Sequence, residues 1–229
     1  MKNYYVLIPD ADEFSIVESI ISDRSSNNDM LVSKNIHQIN EEDLRREVSV
    51  YMIDDENTVC INFIQSGVGK VATCRTMKKL LKVFEVYGSP EHVVMAGSAC
   101  GKVPGIYNII NTYQEIDLRP AGRKLGESPD LPVNYRCTGI SMFRDLKRSE
   151  SLTVERFCTM FPDTSEYNEH NKFVVDMEDY AFSAMLDDEE IPYSIVRGVT
   201  DEGSFDSWKD SLKSCISDIV EILFNKFGI

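Results

Sequence analysis

Histidine, paired cysteine and positive charge are all scarce in this chain, and each shortage removes a class of function. There are three histidines, His37, His92 and His170, with no H-x-x-x-H pair among them. The six cysteines, Cys60, Cys74, Cys100, Cys137, Cys158 and Cys215, are scattered and form no C-x-x-C. Neither residue type offers metal-ligand spacing, so no metal is expected. The mostly apolar settings of the cysteines fit small buried thiols in a reducing cytoplasm. Lysine and arginine total 24 against 38 acidic residues, a net charge of −14. A phosphate backbone or an anionic bilayer would repel such a surface, which argues against nucleic acid and membrane as partners. No apolar run of about 18 residues occurs, and Met1-Lys2-Asn3 leads straight into a strand pattern. Neither a membrane span nor a signal peptide is expected.

What is present is an ordinary globular composition: 229 residues, 42% hydrophobic and 27% charged. That is enough to bury a substantial core in one domain, 1–229, without repeats or a linker. Tyr4 to Ile8 reads as a strand, stopped by Pro9 and followed by a helix over Asp12 to Ser22 and a polar loop to Asp29. Ser49 to Ile53 and Val59 to Gln65 read as a strand pair. Val71, Cys74, Met77, Leu81 and Phe84 mark an amphipathic helix whose other face carries Lys78, Lys79 and Lys82. His92 to Ala96 is a central strand, Ile106 to Ile116 one or two more, Tyr135 to Ile140 another, and Thr153 to Met160 a helix. Arg119 to Pro132, rich in proline and glycine, reads as an irregular loop carrying Arg119, Arg123 and Lys124. Trp208, Leu212, Cys215, Ile219, Leu223 and Phe227 give a C-terminal helix its core face. Alternating strands and helices predict an α/β fold, a three-layer α/β/α sandwich around a mixed, largely parallel sheet.

The residues that carry chemistry lie between Phe173 and Ser204. From Glu178, the positions i+3, i+4, i+7 and i+8 are Ala181, Phe182, Met185 and Leu186, one apolar stripe. Glu178 therefore faces the interior, where an ionised carboxylate is costly unless it is paired or has a task. Arg197 sits inside the β-branched run Tyr193 to Val199 and shares strand parity with Asp201. A structural Arg–carboxylate pair would explain these residues as well as a reactive site would. Two commoner motifs fail. A P-loop ending at Gly69-Lys70 would need glycine at Ile64 and Ser or Thr at Val71. A serine nucleophile at Ser98 would need glycine at Ala96 and a histidine partner.

Met177-Glu178 opening a helix, then Arg197-Gly198-Val199-Thr200-Asp201 closing a strand, resembles the second half of the purine nucleoside phosphorylase superfamily. Within it the likeness is to the 5′-methylthioadenosine/S-adenosylhomocysteine nucleosidase branch, with Thr200 in place of the usual Ser. Ser66-Gly67-Val68-Gly69-Lys70-Val71 resembles that family's glycine turn into a helix. Ala96-Gly97-Ser98-Ala99-Cys100-Gly101 resembles its loop after a central strand, and Val6-Leu7-Ile8 followed by Asp12-Glu13 resembles its first strand and catalytic Glu. The combination, in the family's order, spans most of the chain. Two departures fall in the middle: Gly101 to Thr138 is shorter, and Thr138 to Phe143 lacks the family's wording.

The resemblance implies cleavage of a purine nucleoside at its N-glycosidic bond, with no organic cofactor. It assigns Asp201 as general acid to the leaving base and Glu13 as base for the attacking water, with Arg197 holding Glu13 or the water. Glu178 would accept the ribose hydroxyls, and Met177, Val68, Gly97, Ser98, Ala99 and Phe143 would form the substrate pocket. It also implies a homodimer. A phosphorylase of this family would carry arginine at Met95 and a Gly-Asp-Pro loop at Pro9-Asp10-Ala11; neither is present, so water is favoured over phosphate. The alternatives are a phosphorylase after all, or a catalytically silent nucleoside-binding protein on the same scaffold.

Overall fold

The computed structural model describes residues 2–26, 31–34, 46–53, 58–114, 134–139, 141–154 and 173–228. Within them lie ten strands: β1 (Lys2–Ile8), β2 (Leu31–Lys34), β3 (Glu47–Ile53), β4 (Thr58–Gln65), β5 (His92–Cys100), β6 (Gly105–Gln114), β7 (Asn134–Arg136), β8 (Lys147–Thr153), β9 (Phe173–Asp176) and β10 (Tyr193–Asp201). Four helices accompany them: α1 (Ala11–Ser25), α2 (Lys70–Tyr87), α3 (Asp179–Asp187) and α4 (Phe205–Phe227).

All ten strands belong to one sheet. Its centre is parallel, because β1 lies between β4 and β5, and β5 continues to β10. It is parallel again at β6–β8 and β8–β9, and antiparallel at β2–β3, β3–β4, β10–β6, β6–β7 and β5–β9. The sheet is therefore evenly mixed, not largely parallel. It also closes on itself: β5 pairs β10, β10 pairs β6, β6 pairs β8, β8 pairs β9, and Cys100 of β5 meets Val175 of β9. Cys100, Leu152, Val154 and Val175, on or next to the strands of that ring, form a small apolar cluster of their own.

Two larger clusters cover the two faces of the central strands. Leu7, Val93, Met95 and Ile195 pack against α2 and α3. Their neighbours in sequence, Val6, Val94, Ala96 and Val196, point the other way, onto α1 and α4. The period-2 alternation of a strand buried on both faces explains why these segments are continuous apolar runs. Asp10 starts α1, its side chain accepting the Asp12 N–H at 2.7 Å. Gly228 in the left-handed region ends α4.

Several expected boundaries move. Helix α1 runs on to Ser25, β5 continues past Gly97 to Cys100, and Ile106 to Gln114 lies in one strand. Val71 is 65% exposed; α2 buries Thr73, Thr76, Met77, Leu80, Val83 and Phe84 instead. Tyr135 to Ile140 gives only a three-residue strand before turning at Thr138 and Gly139. Thr153 ends strand β8 and does not start a helix. The rest of that expected helix, 155–160, and the basic loop, 119–132, lie outside the described residues. No described helix is long and apolar enough to cross a membrane.

Candidate functional site

Six strand ends build one pocket. Pro9 and Asp10 follow β1, Val68 follows β4, Ser98 to Cys100 end β5, Val154 follows β8, Val175 and Asp176 end β9, and Asp201 ends β10. Glu13 enters from the first turn of α1, Met177 and Glu178 from the approach to α3, and Phe205 and Trp208 from the first turn of α4. This is the crevice beyond the carboxyl ends of parallel strands where ligands of open α/β sheets bind. A register irregularity between Val199 and Asp201 inserts an extra residue in β10 there. Such a bulge re-aims side chains at a site, and both Arg197 and Asp201 line the pocket across it.

Arg197 is the hub, with 1% of its surface exposed. Its Nε and Nη2 donate to Asp179 Oδ1 at 3.0 and 2.6 Å, Nη2 also to Glu178 Oε2 at 2.9 Å, and Nη1 to the Ser98 carbonyl at 3.2 Å. Asp176 Oδ1 stands 3.9 Å from Nη2. That oxygen accepts the backbone N–H groups of Glu178 and Asp179 at 2.8 and 2.7 Å, which fixes the start of α3. Burial opposes the Arg197 charge, but Asp179, Glu178 and Asp176 outweigh it and push the guanidinium further up. The same burial raises Asp179 well above the carboxylate range and raises Glu178, with Arg197 opposing both shifts. Three carboxylates around one guanidinium is more negative charge than a dry site holds easily.

The glycine turn seats a carboxylate. Gly69 has φ +91°, which a side chain would strain, and its N–H donates to Glu178 Oε1 at 2.8 Å. The N-terminus of α2 is thus turned toward the protein's own Glu178, a favourable place for an anion. Glu13 is held differently. Its Oε1 accepts the Ser98 N–H at 2.8 Å and the Ser98 hydroxyl at 2.5 Å, while its buried Oε2 has no hydrogen-bond partner among the described residues. Burial pushes Glu13 up to about 7, against the pull of the Ser98 bonds and the Arg197 charge. Asp201 accepts the Thr200 hydroxyl at 2.9 Å on Oδ2 and the Gly203 N–H at 2.7 Å on Oδ1.

The structure brings eight of the sequence-predicted residues to this pocket: Glu13, Val68, Ser98, Ala99, Met177, Glu178, Arg197 and Asp201. Gly97 stands behind it. A Cβ there would lie 2.8 Å from Glu13 Oε2 and 2.9 Å from Arg197 Nη1, so glycine is what lets both side chains converge. Phe143 does not reach the pocket; it is buried in the apolar cluster under α1 and α4, where its carbonyl accepts from Asn108. Arg197 makes its hydrogen bonds to Asp179, Glu178 and Ser98, and acts on Glu13 only through its field. Sequence reasoning missed Asp10, Asp176, Phe205 and Trp208 in the lining and Asp179 behind it.

No protein-family model matches the chain. A curated relative, the 5′-methylthioadenosine/S-adenosylhomocysteine nucleosidase of Haemophilus ducreyi, is 24% identical over 196 residues, covering 75% of this chain and 83% of that protein. The Neisseria meningitidis nucleosidase of the same name, solved with methylthio-immucillin-A, superposes with a TM-score of 0.71 at 18% identity, covering 99% of this chain and 98% of that one. The chain shares the fold of that nucleosidase. A Helicobacter pylori nucleosidase carrying an aspartate-to-asparagine change and 5′-methylthioadenosine in its active site gives a TM-score of 0.75 at 14% identity, covering 99% and 98%. Futalosine hydrolase from the same organism gives 0.73 at 14% identity, covering 99% and 97%. The shared fold therefore supplies the scaffold, and the pocket must supply the chemistry.

Proposed function

We propose that this protein is a nucleosidase that hydrolyses the N-glycosidic bond of a purine nucleoside of the 5′-methylthioadenosine/S-adenosylhomocysteine type. The observation that carries this reading is that Glu13, with one carboxylate oxygen unpartnered among the described residues, lines one pocket together with Asp201 and Glu178. Glu13 takes a proton from water as the oxygen attacks the anomeric carbon. Asp201 gives a proton to the departing base, and the C–N bond breaks toward an oxocarbenium-like sugar. Glu178, fixed by Gly69 and Arg197, accepts the ribose hydroxyls. The surrounding carboxylates favour the positive charge that develops on the sugar.

Phosphate would be poorly served in the same place. Among the described residues the lining holds five carboxylates, Asp10, Glu13, Asp176, Glu178 and Asp201, and one cation, Arg197, already engaged by Asp179 and Glu178. A dianion would meet repulsion with no free guanidinium in the lining to offset it. The likenesses to the methylthioadenosine nucleosidases and to futalosine hydrolase both favour hydrolysis. We further read 1–229 as a single cytoplasmic domain of the three-layer α/β/α type that needs no cofactor or metal and works as a homodimer. Helices on both faces of the central strands support the layering.

Incubating the protein with a panel of 5′-modified adenosines and other purine nucleosides, and following free base, tests the reading. Base release from at least one adenosine is expected. Folded protein that binds nucleosides without releasing base would point to the silent binder.

A further inference from the structure

Trp208 takes no part in the chemistry above, yet it touches it. It is the chain's single tryptophan, lies in the first turn of α4, stacks at a tilt on Phe205 with ring centroids 5.3 Å apart, and lines the pocket. Its indole N–H donates to Ser98 Oγ at 2.9 Å. The same Ser98 hydroxyl donates to Glu13 Oε1, which also receives the Ser98 backbone N–H. An indole nitrogen only donates, so the direction of the first bond is fixed. Trp208 occupies an acceptor site of Ser98 Oγ and leaves the hydroxyl proton for Glu13.

We propose that Trp208 is a positioning residue: through Ser98 it orients and polarises the hydroxyl that pins one carboxylate oxygen of Glu13, while the other keeps no hydrogen-bond partner among the described residues. The proposal rests on the reading of Glu13 as the base for water. Hydrogen bonds in series strengthen one another, so the indole favours the ionised, base-competent form of Glu13. The other groups acting on Glu13 are Arg197 from β10, which favours its charge, and Asp10 from the start of α1, which opposes it. Cys215 on α4 is also coupled to it, but burial pushes that thiol up to about 12, so it stays neutral. Asp176, Glu178 and Asp201 share the pocket wall with Trp208.

Because Trp208 is the only indole, its emission reads this relay without any substrate. The full chain, ligand-free, is titrated from about pH 5 to pH 9 as wild type, Glu13→Gln and Ser98→Ala. Wild-type emission is expected to change through a transition centred near 7, where burial places Glu13. The transition should vanish in Glu13→Gln and shrink several-fold in Ser98→Ala. A flat wild-type titration, or the same transition in Glu13→Gln, overturns the proposal. A second arm uses Trp208→Phe, which keeps the ring and removes the N–H. The acid limb of its kcat/KM profile for base release should move up by about half a pH unit to one unit, with KM little changed. An unmoved limb contradicts the relay. Should the wild type release no base at all, the emission titration still decides the relay independently of the nucleosidase reading.

Discussion

Replacing Glu13 by glutamine should stabilise the protein as the pH rises, and should do so by an amount that the burial of this one group dictates. Gln keeps the size of Glu and an oxygen to accept the two Ser98 bonds, but it carries no charge. Glu13 is 2% exposed, and its pKa rises from 4.5 in the unfolded chain to about 7 in the fold. Below 4.5 both states hold the proton and the shift has no effect on stability. Between 4.5 and 7 the native state holds a proton that the unfolded state has released, so stability falls as pH rises. Above 7 the full cost is present: 2.5 pH units, about 3 kcal/mol in order of magnitude. Glu47 is raised in the same range by its own burial, but it is common to both proteins and cancels in their difference. For a domain of this size about 3 kcal/mol corresponds to roughly 6–12 °C in Tm. Thermal melts of the two proteins at pH 4.5 and pH 8 measure it. The Tm advantage of Glu13→Gln should grow by that amount between the two, while base release at pH 8 collapses. An advantage that does not grow with pH would refute the placement of Glu13 as a buried, costly base.

Four further outcomes follow from the same geometry. Asp201→Asn should lower base release about 10²–10⁴-fold with little change in binding or Tm; earlier melting with normal turnover would make Asp201 a structural residue. Gly97→Ala drives a methyl into Glu13 Oε2 and Arg197 Nη1 at 2.8 and 2.9 Å, so activity should drop by more than about tenfold even where circular dichroism shows a folded chain. Asp179→Ala removes the carboxylate that Arg197 grips twice and should cost about 3–5 kcal/mol in denaturant unfolding. The kcat/KM profile of the wild type should rise with pH through a limb near 7, as Glu13 loses its proton.

The residues that were legible in the sequence are those whose burial contradicts their polarity within a regular pattern. Glu178 heads the apolar stripe of α3, and Arg197 interrupts a β-branched strand; both are buried and bonded to each other. Asp179 gave no such signal, because the stripe argument assigns one inner face, whereas α3 also buries Asp179, Tyr180 and Ser183. Phe143 was misplaced because its segment was aligned to a pocket wall by likeness; its side chain serves the core. Strand β8, KRSESLT, was invisible because its buried positions include Ser149, Ser151 and Thr153, which are polar. Trp208 was read as core on the helical period of α4, correctly as to face, but no period tells that the first turn overhangs Ser98. Closure of the sheet depends on pairings between strands distant in sequence, such as Cys100 with Val175, and local patterns do not encode those.

The most direct test of the account is product analysis with 5′-methylthioadenosine in phosphate-free buffer, by chromatography and mass spectrometry. The account predicts free adenine and the free 5-methylthio sugar in equal amounts, at a rate that added phosphate does not raise. No adenine from folded protein, or a sugar phosphate that forms only when phosphate is supplied, would contradict it.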